Sequence, residues 1–126
     1  MTYPSELKYT KDHEWVKIED GTAIIGITDY ALEQLGDVVH IELPEEGEEF
    51  DGGATFGTIE STKTVSDLYM PLTGKVTAVN NDLEDNLETL ADSPYKSGWL
   101  IKVAVSEQSE ELLSAADYEK FIAEDE

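Results

Sequence analysis

A strand–turn–strand pattern occurs twice in this 126-residue chain, at an offset of 27 positions. Each copy has apolar residues, then a proline, and then a glycine three positions after the proline. The prolines are Pro44 and Pro71, and the glycines are Gly47 and Gly74. Since two copies of one unit can pair about a pseudo-two-fold axis, the repeat favours two facing β-sheets. The aligned apolar positions are Val38 with Val65, Ile41 with Leu68, and Leu43 with Met70.

Short strands and turns are predicted along most of the chain. The Asp20-Gly21 pair is typical of a tight hairpin turn between two strands within 14–27. Thr28-Asp29 is expected to cap a short helix that runs to Leu35, with Gly36 as its C-terminal stop. Further strands are predicted over 37–43, 50–59, 65–70, 75–79 and 99–105, a polar loop over 80–92, and a C-terminal helical segment over about 109–123. Ser114 and Asp117 resemble a capping box within that segment, so it is one long helix or two short ones.

Lys63 stands out because small hydroxylated residues surround it in a chain with no arginine and eight lysines. Such a lysine is suited to chemical modification rather than to acting as a charge. Residues 58–65 contain no glycine, proline or asparagine, and their threonine, isoleucine and valine content favours a continuous strand. Local propensity therefore places Lys63 in the middle of a strand, where a modified lysine would not be expected.

The composition excludes several classes of function. A net charge of −21 disfavours nucleic acid and anionic membranes as partners, because phosphate binding needs clustered basic residues. A solvated acidic surface, as in a salty cytoplasm, explains most of this charge, and steering toward basic partner surfaces is a secondary interpretation. The absence of cysteine excludes disulfides and thiolate metal sites and is compatible with a cytoplasmic location. His13 and His40 have no metal-ligand spacing, so neither a metal site nor a catalytic residue is predicted.

The length is that of one domain, residues 1–126, and the chain is expected to be a monomer. No stretch approaches the roughly 18 apolar residues of a membrane span. The first residues have neither a basic nor an apolar region, so a secretory or transit segment is not expected.

Segments that occur in one order and spacing over nearly the whole chain carry a family resemblance. They are LKY at 7–9 with HEWV at 13–16, GITDYA at 26–31, LGDVV at 35–39, ELPEEG at 42–47, GTIESTK at 57–63, PLTGKV at 71–76, and SPY at 93–95 with GWL at 98–100. Together they resemble the H-protein family of the glycine cleavage system. The resemblance implies a mainly β, lipoyl-domain-like hemi-barrel or sandwich of two antiparallel sheets, with short flanking helices and a C-terminal helix.

The resemblance also implies a carrier function. Lys63 would lie at a hairpin tip, against the local propensity, and would carry lipoate in amide linkage. The arm would take an aminomethyl group from glycine on a pyridoxal-phosphate glycine decarboxylase and deliver it to a tetrahydrofolate-dependent aminomethyltransferase. A dihydrolipoyl dehydrogenase would then reoxidise the arm, and a lipoate-attaching enzyme would install it. The protein itself would catalyse nothing.

Two further sets of residues follow from the resemblance. Glu60 and Gly74 would be read by the lipoate-attaching enzyme. An exposed strand glutamate explains Glu60 equally well, and a residue such as Gly74 is more often just a turn glycine. Glu14 would pair with the ammonium of the loaded arm in a surface cleft. The apolar lining of this cleft would come from Ile27, Ala31 and Leu35, although a core position is the commoner role for such residues. Its polar rim would come from Asp67, for which simple solvation is the alternative.

The chain departs from the family pattern at three positions. Tyr30 and Gln34 stand where several family members have histidine, so no imidazole role transfers. Thr62 stands where an apolar residue is usual.

Three other readings remain open at this point. A lipoyl or biotinyl domain of another complex would normally show Asp-Lys-Ala or Met-Lys-Met, and neither is present. An H-like protein that relays lipoate during its assembly or transfer fits the same residues. An unmodified β-sandwich adaptor would make Lys63 an ordinary exposed lysine.

Overall fold

The computed structural model describes residues 7–10, 13–85, 87, 98–107 and 112–125. These residues form two antiparallel sheets, one of six strands in the order β1-β2-β3-β9-β8-β5 and one of three in the order β4-β6-β7. The strands are β1 Lys8–Tyr9, β2 Glu14–Glu19, β3 Thr22–Ile27, β4 Val38–Glu42, β5 Glu49–Phe50, β6 Thr55–Ser61, β7 Val65–Tyr69, β8 Thr73–Val79 and β9 Ile101–Glu107. The helices are α1 Asp29–Leu35, α2 Asp82–Asp85 and α3 Ala115–Asp125. The predicted fold of two antiparallel sheets with flanking helices is confirmed.

The topology agrees with the sequence repeat. Strands β4 and β7 flank β6 in the three-stranded sheet, and the strands that follow them, β5 and β8, pair with each other in the six-stranded sheet. Each repeat unit therefore crosses from the small sheet to the large one. The two glycines of the repeat differ, since Gly47 has a φ of 95° in a turn whereas Gly74 lies within β8.

Local signals place the first hairpin and α1. Asp20 and Gly21 have φ values of 48° and 79°, the left-handed pair that a tight hairpin turn requires. The Thr28 side chain accepts a hydrogen bond from the Ala31 amide at 3.3 Å and caps α1. Gly36 ends the helix with a φ of 82°, and its amide donates to the Leu32 carbonyl. All these features agree with the sequence-based expectation.

Two expectations about the second half of the chain were wrong in part. The polar loop expected over 80–92 contains α2, because Leu83 is buried and fixes one turn of helix against the core. The C-terminal helix begins at Ala115 rather than near 109, since Leu113 exchanges two main-chain hydrogen bonds with Tyr9 of β1. Ser114 caps α3 by accepting from the Asp117 amide at 3.2 Å. Residues 86, 88–97 and 108–111 lie outside the described residues, as does the SPY motif at 93–95.

Two apolar clusters hold the molecule together. The larger one fills the space between the sheets, with contributions from both sheets and from Leu32 and Leu35 of α1. The smaller one lies on the other face of the six-stranded sheet, where Trp15 and Tyr30 pack with Tyr118 of α3. Neighbouring residues of a strand point to opposite faces, so Trp15 lies in the smaller cluster and Val16 in the larger one.

The helices of the described residues include none with the length and apolarity needed to cross a membrane.

Candidate functional site: the Lys63 hairpin and its surroundings

Lys63 lies at the tip of the hairpin that joins β6 to β7. Glu60 pairs with Val65 as the last strand pair, and the Ser61 amide donates to the Thr64 carbonyl at 2.8 Å. The Lys63 side chain is exposed beyond this closing bond. The continuous strand that local propensity favours is therefore wrong, and the hairpin that the resemblance implies is confirmed.

The hydroxyl group of Ser61 shapes the turn. Its Oγ accepts hydrogen bonds from the amides of Lys63 and Thr64, each at 3.2 Å, and donates to the Thr64 carbonyl at 3.3 Å. Among the described non-glycine residues, only His13 and Asp20 have positive φ. The tip therefore needs no left-handed residue, which is why it carries neither glycine nor asparagine. A serine that can bond the amides two and three positions later was the one local signal of this turn.

The tip is attached to the end of α1. The Thr62 amide donates to the Asp37 carbonyl at 3.0 Å, across the two segments. The Lys63 side chain passes over Gly36, since a Cβ built there would lie 3.6 Å from Cε and 3.8 Å from Nζ. The hydrogen bond to Asp37 fixes the backbone next to Lys63, and the end of the exposed Lys63 side chain lies beside Gly36.

Glu14 joins the two sheets through its side chain. It is the first residue of β2, is 2% exposed, and pairs with Ile27 at the end of β3. Its Oε2 accepts a hydrogen bond from the Tyr69 amide at 3.0 Å, at the end of β7. Its own amide donates to the Thr10 hydroxyl at 3.1 Å. A carboxylate removed from bulk water in this way interacts strongly with any cation that reaches it.

The four residues expected to complete the cleft do not all lie together. Ile27 and Leu35 are buried in the larger core cluster, and Ala31 is half-buried against it. Asp67 is exposed and pairs with Thr58. Because Leu68 next to it points into the core, Asp67 faces away from the core. The structure thus places Ile27 beside Glu14, places Ile27, Ala31 and Leu35 at the larger core cluster, and leaves Asp67 on the outward face of the small sheet.

Glu60 and Gly74, the two residues expected to be read during lipoylation, lie in different sheets. Glu60 is exposed next to the Lys63 turn, in the middle strand of the small sheet. Gly74 is buried in β8, and a Cβ there would collide with the Val103 side chain and the Ala104 carbonyl. Close packing therefore accounts for the glycine at 74.

Sequence reasoning missed a polar network that connects α3 to α1. The Tyr118 hydroxyl lies 2.8 Å from the Thr28 Oγ1 and 2.8 Å from the His13 Nδ1. Its ring stacks on Tyr9 with centroids 4.9 Å apart. Thr28 and Tyr118 are fully buried. The capping role of Thr28 was visible in the sequence, but nothing local marked a tyrosine ninety residues later as its partner.

The two positions without the family histidine have different surroundings. Tyr30 is buried in the smaller cluster, where its ring lies 4.9 Å from that of His13. Gln34 is exposed on α1. Within the described ranges, no three histidine, aspartate or glutamate residues are grouped as metal ligands.

A sandwich of two antiparallel sheets that exposes a lysine at a braced hairpin tip defines a carrier protein of the lipoyl-domain class. Comparison with known proteins gives the family: the glycine cleavage H-protein model matches residues 7–125. The glycine cleavage system H proteins of two Staphylococcus epidermidis strains are 53% and 52% identical over 126 residues, which cover 98% of this chain and all of each relative. The crystal structure of a glycine cleavage system H protein from Mycobacterium marinum matches with a TM-score of 0.92 and 42% identity, over 96% of this chain and 99% of that one.

The chain therefore belongs to the glycine cleavage H-protein family, and its role is that of a lipoyl carrier in the glycine cleavage system.

Proposed function

We propose that Lys63 is the residue to which lipoate is attached, as an amide, and that residues 1–126 act as one carrier domain without catalysis of its own. The observation that carries the proposal is the exposed lysine on a turn held by Ser61 and by the Thr62–Asp37 hydrogen bond. Such a tip presents the amine to an enzyme at little cost in conformational entropy. Acylation removes the positive charge of the lysine.

When bound, lipoate supplies a dithiolane, which provides redox and group-carrying chemistry that a chain without cysteine lacks. The partners in the proposal are the pyridoxal-phosphate glycine decarboxylase, the tetrahydrofolate-dependent aminomethyltransferase, the dihydrolipoyl dehydrogenase and the lipoate-attaching enzyme. The protein is proposed to work as a monomer in the cytoplasm, which is compatible with the lack of cysteine.

Glu14 is proposed to receive the ammonium of the loaded aminomethyl group. A carboxylate has lone pairs enough to bind the Tyr69 amide and a further donor at once. Its burial removes competing water, which strengthens attraction to a cation. Ile27, Ala31 and Leu35 are proposed as the apolar wall beside it, whereas Asp67, on the outward face of the small sheet, lies apart from this cleft.

Mass spectrometry of the protein from its native host tests the attachment site. We expect one lipoyl increment on the intact chain, mapped by proteolysis to Lys63. Lys63→Arg should abolish it, and Lys75→Arg, an exposed lysine of the other sheet, should leave it in place. An unmodified chain from a host that lipoylates other proteins would refute the carrier proposal.

Glycine-dependent decarboxylation with the cognate partners tests the cycle. The lipoylated wild-type protein should support release of carbon dioxide, and the Lys63→Arg protein should not. Lipoylation without such support would instead favour a role as a lipoate relay.

A further inference from the structure

The chain contains two Asp-Gly pairs, Asp20-Gly21 and Asp51-Gly52, and the structure holds them in different ways. An aspartate followed by glycine can react with its own backbone. Glycine has no side chain to block the approach of its amide nitrogen to the preceding carboxyl group. The reaction requires that nitrogen and that carboxyl group to be free to meet, so the hydrogen bonds around each pair decide which of the two reacts.

Asp20 and Gly21 form the whole turn of the hairpin between β2 and β3. Glu19 pairs with Thr22 as the last strand pair, so both turn residues lie outside the ladder. Both are exposed, and among the described residues no hydrogen bond uses the Gly21 amide as donor or the Asp20 carboxylate as acceptor. The Lys17 ammonium pairs with Glu19 instead, at 3.2 Å. The nitrogen and the carboxyl group of this pair are therefore both available for reaction.

The backbone of Asp20 also favours the reaction. Its φ of 48° lies in the left-handed region, which residues with a Cβ adopt at a cost in free energy. An isoaspartyl residue has an additional methylene group in its main chain, so the same steric contacts do not confine it. The ordinary peptide linkage at position 20 is thus destabilised relative to the isoaspartyl linkage. Among the described non-glycine residues only His13 shares a positive φ, so Asp51 lacks this strain.

Two consecutive amides hold the second Asp-Gly pair in place. The Gly52 amide, which would be the nucleophile, donates to the Thr73 Oγ1 at 2.9 Å. The next amide, that of Gly53, donates to the Met70 carbonyl at 2.8 Å. Attack by Gly52 on the Asp51 carboxyl group would break the first hydrogen bond and displace the segment that makes the second. The Thr73 hydroxyl group therefore protects Asp51 from the reaction that is open to the first pair.

We propose that Asp20 is a site of spontaneous isomerisation to isoaspartate and that Asp51 is not. The Gly21 nitrogen attacks Cγ of the protonated Asp20 carboxyl group, and a C–N bond forms. The C–OH bond breaks, and the hydroxyl group leaves as water with the proton of the amide. Water then adds to the resulting succinimide ring. Ring opening at the former main-chain carbonyl gives isoaspartate, whereas opening at Cγ returns aspartate, so the reaction takes no reagent besides water.

Isomerisation would change the attachment of this hairpin to β9. The Gly21 carbonyl accepts a hydrogen bond from the Val105 amide at 2.8 Å. An additional methylene group between Asp20 and Gly21 displaces that carbonyl, so we expect the Val105 amide to exchange faster in the isomerised protein. Lys63 lies at the hairpin of the other sheet, so lipoylation should be unaffected. The inference therefore stands independently of the proposed function.

The test is incubation of the purified protein for several weeks at physiological temperature and pH. An endoproteinase that cleaves before aspartate does not cleave before isoaspartate, so mass spectrometry of the digest measures the isomerised fraction at each position. We expect isomerisation at Asp20 to be about tenfold faster than at Asp51, where a hydrogen bond to the nucleophile must first break. Equal rates at the two positions, faster reaction at Asp51, or no reaction at Asp20 would overturn the proposal.

Thr73→Val tests the protecting hydroxyl group. This change removes the acceptor of the Gly52 amide and should raise the isomerisation rate at Asp51 severalfold, with the rate at Asp20 unchanged. The matched control is Thr77→Val, the same change further along β8, which should alter neither rate. A wild-type rate at Asp51 in Thr73→Val, or an equal rise in Thr77→Val, would contradict the protection assigned to Thr73.

Discussion

The hydroxyl group of Ser61 takes part in three hydrogen bonds that close the hairpin. The position of Lys63 therefore depends on the side chain of a nearby serine. Ser61 is 5% exposed, and the amides it binds belong to the turn itself. Propensity scales average over many contexts and give a serine among threonines no strong turn preference. Here the turn forms because the Ser61 Oγ accepts hydrogen bonds from the Lys63 and Thr64 amides.

Ser61→Ala should loosen the tip. The amides of Lys63 and Thr64 lose their acceptor, and we expect the free energy of unfolding to fall by about 1–2 kcal/mol. Amide exchange at Thr64, followed by NMR, should accelerate, and lipoylation should slow. Thr62→Ala at the next position is the control, since its contact to Asp37 comes from the main chain. Unchanged exchange at Thr64 would show that the hydroxyl does not hold the turn.

Glu14→Gln separates charge from structure. The amide oxygen of glutamine can accept from the Tyr69 amide as the carboxylate does, so stability should change by less than about 1 kcal/mol. The loaded protein should release its aminomethyl group about tenfold faster, because the ammonium loses its partly desolvated counter-charge. The measurement is the decay of loaded protein in the absence of the other enzymes.

The control is Glu49→Gln, which makes the same change at an exposed glutamate of β5, away from the site. The loaded form of this variant should lose its aminomethyl group at the rate of the wild type. If loaded wild type, Glu14→Gln and Glu49→Gln all decay at the same rate, Glu14 does not bind the ammonium of the arm.

Between elements, the contact of α3 with α1 depends on the Tyr118 hydroxyl. It bridges the cap of α1 and the imidazole of His13, whose φ of 66° places it in the left-handed region. Helix α1 in turn ends at Gly36, over which Lys63 passes. The C-terminal helix is thus coupled through one buried tyrosine to the helix beside Lys63.

Tyr118→Phe should keep the ring stack on Tyr9 and lose the bridge. The Thr28 and His13 side chains each lose a buried partner, and we expect a loss of about 1–3 kcal/mol in chemical denaturation. Tyr69→Phe removes a hydroxyl from a half-buried tyrosine and should stay within about 0.5 kcal/mol of the wild type. Similar values for the two variants would contradict a special role for Tyr118.

The elements were predictable where local chemistry decides them. Asp20-Gly21, Thr28 and Gly36 each fix a backbone conformation, and the first hairpin and α1 appeared where they were expected. The start of α3 was not predictable, because Leu113 leaves the helical pattern to pair with Tyr9 from the opposite end of the chain. Helical spacing in 109–114 could not reveal a partner that lies a hundred residues away.

Across the whole molecule, the repeat of 27 residues anticipated two facing sheets but not their strand order. The central pairing of β3 with β9 joins residues from opposite ends of the chain, and such pairing leaves no mark in local sequence. In the candidate site, too, some features could be predicted from the sequence and others depend on contacts between distant residues. Lys63 was marked by its own sequence surroundings and Glu14 by the family resemblance, whereas the bulge at Val39 and the Tyr118 network follow from tertiary contacts.

A charge of −21 on 126 residues should make stability depend on ionic strength. The Lys17–Glu19 ion pair and the His40–Glu42 contact, which is an ion pair only when the imidazole is protonated, are exposed and offset little of the repulsion. Salt screens that repulsion, so the melting temperature should rise by several degrees between about 0.05 and 1 M sodium chloride. Potassium chloride should give the same rise if screening is the cause. A flat or falling melting temperature would contradict this expectation.

The hydrogen bond from the Tyr69 amide to Glu14 gives this carrier a reporter of its own state. The donor belongs to the backbone and lies 55 positions from the carboxylate, in the other sheet. When an ammonium binds the same carboxylate, that amide loses electron density from its acceptor, and its proton resonance should shift upfield. A single backbone cross-peak would then distinguish empty from loaded protein in solution, with no label on the arm.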